Sequence, residues 1–146
     1  MSYQPRNPDY RVKTTSIFEK APFVVDLGIE MLDCGPGWCE SELTLKTRHM
    51  QHHQYAHAGV MATIADHTAG AAAGTLVAAD ETILSVEFKV DLMRPGLGQS
   101  LFCRAEVVKP GRTLSFVRAE VFAINNGTKK LVSKSNLTMA ILPEQT

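Results

Sequence analysis

At 146 residues the chain has the length of one domain with a sizeable core, and its 15 Lys plus Arg balance 15 Asp plus Glu. A formal net charge of zero argues against nucleic acid or an anionic membrane as partner, so any anionic ligand must be met by a local patch. The three cysteines, Cys34, Cys39 and Cys103, are odd in number and lack paired zinc-ligand spacing, which predicts reduced thiols and a cytoplasmic protein.

The opening stretch, M-S-Y-Q-P-R-N-P-D-Y-R, has no apolar h-region, so no signal peptide is expected. Residues 1–14 read as a polar arm and residues 15–146 as a single domain. Residues 14–20 suit a short helix capped by Thr15 or Ser16 and ended by Pro22. After Phe23-Val24-Val25, residues 27–33 suit a first strand, Gly35-Pro36-Gly37 a turn, and residues 38–46 a second strand. Residues 47–56 are polar, aperiodic and rich in histidine, and read as a loop. Residues 57–77 are almost wholly small or apolar and predict a buried helix, closed by Asp80 and Glu81. A membrane span of this length would put Asp66 and His67 near the bilayer centre, so a helix wrapped by its own protein fits better.

Four strand-like runs follow, at residues 83–94, 101–109, 114–124 and 131–142. In the first, Leu84, Val86, Phe88, Val90 and Leu92 alternate with polar residues, as in a half-buried strand. Arg94-Pro95-Gly96, Pro110-Gly111 and Asn125-Asn126-Gly127 separate the runs. The expected architecture is α+β: β-β-α-β-β-β-β, the last four strands in a meander, with the helix against the concave face of an antiparallel sheet.

Asp66 is the residue to explain, because a buried carboxylate needs compensation. At helical spacing its neighbours are Gly59, Ala62, Ala69, Gly70 and Ala73, a face that permits close approach by backbone or by a slender ligand. The amides of Ala58, Gly59 and Val60 head the helix without intrahelical acceptors and can hold a developing oxyanion. Seven residues separate Gly59 from Asp66, about 10 Å at helical rise, too far for both to serve one carbonyl. A two-fold dimer presenting one helix N-terminus to the other Asp66 removes the difficulty.

The element order, with His57-Ala58-Gly59-Val60 heading the helix and Asp66 nine residues after the His, resembles the hot-dog fold and, more narrowly, the PaaI-type acyl-CoA thioesterases. V-E-F-K-V-D-L-M-R-P-G (86–96) and G-R-T-L-S-F-V-R-A-E-V (111–121) are similar to two strand motifs of that family. The resemblance covers residues 15–142. It implies a homodimer, alone or paired into a tetramer, that hydrolyses an acyl-CoA with Asp66 as general base or nucleophile. It implies that the amide after the His, here Ala58 in place of the usual Gly, polarises the thioester carbonyl. Gln51 stands where close relatives commonly have an Asn that holds the water or carbonyl, and Ser85 matches a hydroxyl that contacts the Asp. His57 is implied to fix the loop-to-helix turn. Arg94, Lys109 and Arg112 lie at strand ends where they can meet CoA phosphates.

No cofactor is expected, since a thioester carbonyl is already electrophilic. Metal catalysis by His49, His52, His53 and His57 is set aside because no carboxylate or cysteine joins them in the loop. Two other readings stand: a hot-dog hydratase or dehydratase using His57 with Asp66, and a dimer that binds acyl-CoA without turnover. The small face around Asp66 suits a medium-chain or aromatic acyl tail.

Overall fold

The two runs before the apolar stretch and the four after it form six strands, and the apolar stretch forms a helix laid across them. A computed structural model describes residues 2–145. The elements are α1 (Tyr10–Lys20), α2 (Pro22–Leu27), β1 (Glu30–Gly35), β2 (Trp38–Thr44), α3 (Ala58–Gly74), β3 (Glu81–Leu92), β4 (Ser100–Lys109), β5 (Leu114–Asn125) and β6 (Thr128–Pro143). This is the hot-dog fold: one antiparallel sheet, ordered β1-β2-β4-β5-β6-β3, curled around α3.

The N-terminus differs from expectation. Helix α1 begins at Tyr10, and the polar stretch before it is tied down rather than loose. Tyr3 Oη donates to Val107 O at 3.2 Å, and Arg6 pairs with Glu81 at 2.8 Å. Pro22 does not merely end α1. It opens α2, where a missing N–H costs nothing, and so Phe23-Val24-Val25 are helical. Gly28, at φ 93°, closes α2 by donating to Val24 O and Val25 O, which delays the first strand to Glu30.

The four-strand meander is corrected. Strands β4, β5 and β6 form one, but β3 pairs with β6 at the far edge and β4 pairs with β2. The chain leaves β2, crosses the sheet through α3 and starts β3 on the opposite edge. Residues 93–99 then carry it back, so Arg94-Pro95-Gly96 is part of a crossing connection and not a hairpin.

Strand β3 is not half-buried. Leu84 is 58% exposed, Val86 60% and Phe88 45%, because β3 has a neighbour on one side only and lies at the margin of α3. A bulge between Ser85 and Glu87 also breaks its alternation. Helix α3 buries Ile64, Ala65, Ala69, Ala72 and Ala73 against the sheet. Its small side chains let it sit close enough for Thr68 Oγ1 to meet Ser41 Oγ of β2 at 2.6 Å. Among the described residues, no helix is long and apolar enough to cross a membrane.

Candidate active site

The loop before α3 is built to aim the helix N-terminus. His49 is buried in a 3-10 turn, Thr47–His49. Its Nδ1 accepts from the Lys46 amide at 2.9 Å, so Nε2 carries the proton and donates to Leu27 O at 2.7 Å. His49 O then receives the amide of His57 at 2.9 Å, which fixes the first residue of the helix entrance. Gln51 turns back on this loop: its side-chain oxygen accepts from the His53 amide, and its own amide donates to Tyr55 O.

His57 is the N-cap. Its Nδ1 accepts from the Gly59 amide at 2.8 Å. A Cβ on Gly59 would stand 3.0 Å from that nitrogen, so glycine here gives the cap its room. The Val60 amide bonds His57 O. Ala58 is an exposed residue, and its amide has no acceptor among the described residues. Of the three N-terminal amides, Ala58 is the one left for a ligand.

Asp66 is half-buried two turns along the helix, and its Oδ1 accepts from Ser85 Oγ of β3 at 2.5 Å. Both residues line a cleft of about 320 Å³ between α1, α3 and β3. The small face splits in two. Ala69 and Ala73 turn into the core, whereas Gly70 and Gly74 line the cleft with Asp66. A Cβ on Gly70 would meet nothing within 4 Å. Lys13, Ile17 and His67 complete the wall and were not singled out as site residues from sequence. Lys13 and Ile17 lie in a stretch without motif, but His67 had a signal in its position beside Asp66. Its ring meets Phe18 in a T-shaped contact at 4.6 Å, and its Nε2 is buried without a partner among the described residues. Burial pushes the His67 pKa below its usual 6.5, with the neighbouring Asp66 acting in the opposite direction.

The remaining site residues are distributed. Arg94 lies near the entrance of α3, since Ala56 N bonds Gly96 O at 3.0 Å, and its Nη1 donates to Leu131 O at 2.8 Å. Lys109 and Arg112 are exposed at the β4–β5 turn, the opposite end of the sheet from Arg94. Asp66 meets Ser85, which pairs with Met139 and lies toward the Lys109 end. One protomer therefore gathers Asp66 with Ser85, and His57 with Ala58, Gly59 and Arg94, as two separate groups. Among the described residues no three His, Cys, Asp or Glu side chains converge on a metal position.

An antiparallel sheet curled around one long helix places the chain in the hot-dog class. The comparisons are specific. Residues 53–130 match the model of the thioesterase superfamily, and the chain belongs to that family. A thioesterase family protein of Silicibacter pomeroyi superposes with a TM-score of 0.90 at 33% identity, over 92% of this chain and 98% of that one. The PaaI protein of Escherichia coli, from the phenylacetic acid degradation operon, shares the fold with a TM-score of 0.83 at 18% identity, over 96% and 98%. An esterase-like protein of Caenorhabditis elegans is 32% identical over 105 residues, 71% of this chain. That match spans 60% of the relative's length.

Proposed function

We propose that this protein is an acyl-CoA thioesterase acting on a medium-chain or aromatic acyl group. The observation that carries the reading is the Asp66–Ser85 hydrogen bond in the cleft between α1, α3 and β3, on the helix whose first amide is unclaimed among the described residues. Ser85 engages Oδ1 of Asp66 and leaves Oδ2 for water or for the thioester carbon. As general base, Asp66 takes a proton from water as the oxygen attacks the carbonyl. The charge that develops on the carbonyl oxygen is held by the Ala58 N–H of the other subunit. Collapse breaks the C–S bond, and the proton on Asp66 passes to the departing thiolate. As nucleophile, Asp66 instead attacks the carbonyl carbon, the C–S bond breaks and CoA leaves as its thiolate. Water then opens the resulting mixed anhydride to the free acid and the Asp66 carboxylate, its released proton going to the thiolate.

Homodimer formation supplies the missing half of the site. Strand β3 offers an unpaired edge carrying exposed Leu84, Val86 and Phe88 beside Ser85, a surface that a second copy would cover. CoA phosphates would meet Arg94 of one protomer, or Lys109 and Arg112 of the other. Gln51 acts through the loop, and His57 by holding the cap. The hydratase reading loses ground because His57 Nδ1 already accepts from Gly59, so the neutral ring keeps its proton on Nε2 and has no free lone pair for a substrate proton.

The test is thiol release from a panel of acyl-CoAs by wild type and Asp66→Ala. Hydrolysis by the wild type and a loss of about 10²–10⁴-fold in the variant are expected. No release from any acyl-CoA refutes the activity. Full activity in Asp66→Ala refutes the mechanism.

A further inference from the structure

An open sheet has two edges, here β1 and β3, and the two are finished differently. Along the twelve residues of β3, no backbone amide is taken by a side chain among the described residues. Edge β1 has only six residues, Glu30–Gly35, and it is committed at both ends and broken in the middle. Just before it, the Ile29 amide donates to Val24 O of α2 at 3.2 Å. A bulge between Met31 and Asp33 then breaks the register, with Leu32 at the break. Toward its end, the Cys34 amide donates to Asp33 Oδ1 at 2.8 Å, and Arg11 of α1 donates to the same oxygen at 3.0 Å.

The Cys34 amide is one that an added strand would need. Gly35 and Trp38 close the turn Pro36-Gly37 as the hydrogen-bonded pair of the hairpin, so the next pair, Cys34 with Cys39, is non-hydrogen-bonded. The Cys34 N–H therefore faces the open side, where a carboxylate accepts it in a charge-assisted bond. The Arg11 guanidinium, and after it the Cys34 amide, hold the Asp33 carboxyl below its usual 3.8, so it is ionised at neutral pH. The ion pair adds little to stability, since both side chains are more than half exposed. Its effect is on what can approach. Pairing of β1 with the β1 of a second copy would also bring the carboxylates of Glu30 and Asp33 against one another. Leu32, 50% exposed, is apolar surface that such a partner would otherwise cover.

We infer that Asp33, held by Arg11, is an edge guard: it occupies the Cys34 amide and so bars a second copy of this chain from adding to the sheet at β1. With both edges open, copies joined at β3 would join again at β1 and grow into an open array. With β1 barred, growth ends. The stop at two chains rests on the pairing at β3 proposed above; the bar at β1 does not.

Hydrogen exchange and molar mass test the guard together. In Asp33→Ala at low concentration, the Cys34 amide should exchange about tenfold faster than in the wild type, the worth of one hydrogen bond to a charged group. By light scattering behind size exclusion, the wild type should keep one mass as concentration rises, and Asp33→Ala should climb to about twice that mass or more. Asp33→Asn keeps an acceptor for the amide and should stay near the wild-type mass. Arg11→Ala, which frees the carboxylate to swing away, should act as Asp33→Ala does but by less, and it serves if Asp33→Ala folds poorly. Leu32→Lys added to Asp33→Ala should restore the wild-type mass, because a lysine on a free edge opposes pairing.

A folded Asp33→Ala that keeps the wild-type mass overturns the inference. So does unchanged exchange at Cys34, association of Asp33→Asn equal to that of Asp33→Ala, or association that persists with Leu32→Lys. If the wild type is a single chain and Asp33→Ala associates, the guard stands and the dimer reading fails. If the wild type is a dimer and Asp33→Ala grows no further, the dimer reading stands and the guard fails.

Discussion

The assignment of the Ala58 amide as oxyanion donor can be tested without disturbing the helix it heads. Proline at position 58 deletes the N–H and nothing else that the fold requires. Ala58 is the first helical residue, where proline is well tolerated, and its amide has no acceptor among the described residues. The preceding residue, His57, already lies at φ −61° and ψ 140°, inside the region that a residue before proline adopts. The stability change in Ala58→Pro should therefore stay within about 0.5 kcal/mol, as for an exposed position without special contacts. Loss of one oxyanion donor costs about 10²–10³-fold in kcat, and the exposure of this helix end favours the lower figure, about 100-fold. Ala58→Gly keeps the N–H and is the control, with activity near that of the wild type. The assay is steady-state thiol release beside a thermal melt. A kcat for Ala58→Pro within about threefold of the wild type, in a protein that melts normally, would refute the role assigned to this amide; so would an equal loss in Ala58→Gly.

A shared site makes a stronger demand. When Asp66→Asn and Ala58→Pro subunits are unfolded together and refolded, half of the dimers are mixed, and each mixed dimer carries one intact site out of two. Recovery of about a quarter of wild-type activity is expected from a site built across the two-fold, and none from a site within one protomer. The His67 imidazole predicts acid sensitivity. Its folded pKa is depressed by burial, so its contribution to stability is complete above about pH 6.5 and is lost as pH falls toward the lowered value, because the unfolded chain takes up a proton that the folded one resists. Urea unfolding at pH 7.5 and 5.5 should show this loss in the wild type and a flatter dependence in His67→Gln. The depressed pKa values of Asp33 and Glu106 act lower, below their usual 3.8 and 4.5. The cysteines are fully buried, with the Cys103 thiol pushed up to about 12 by desolvation and Cys39 higher still. They should react with a thiol reagent only on unfolding, leaving the thiol-release assay with little background. Rapid labelling of the native protein would contradict that burial.

What the sequence carried, and what it did not, divides by range. The apolar run around Asp66 and the alternation in the later strands are local signals, and those elements appear within a few residues of expectation. Strand order is a long-range property. Nothing local distinguishes the seven residues from Met93 to Gln99 as a crossing connection from a generous hairpin, so β3 was placed beside β4 instead of at the edge beyond β6. Helix α1 has only Thr14 and Phe18 buried, too few to give a periodic pattern over its eleven residues. Phe23-Val24-Val25 carried no assignment in the sequence, and α2 exists because Pro22 opens it and Gly28 closes it. At the site, the partnership of Asp66 with Ser85 was anticipated from the resemblance. The division of labour at the helix head was not, because it depends on which amide the His57 ring turns to meet.

That division bears on why the alanine is tolerated. The ring of His57 needs the Gly59 amide, and a methyl there would press against Nδ1. One residue earlier, Ala58 is exposed and its amide has no acceptor among the described residues, so a methyl at that position leaves the N–H uncommitted. Glycine is therefore demanded at position 59 by the cap and not at position 58 by the ligand. Gly59→Ala should then lower thermal stability and activity together, since the cap and the aim of the Ala58 amide depend on the same ring. If activity fell in that variant with the cap intact, the Gly59 amide itself would have to be the donor, and the geometry argues against this because that N–H is already committed to His57.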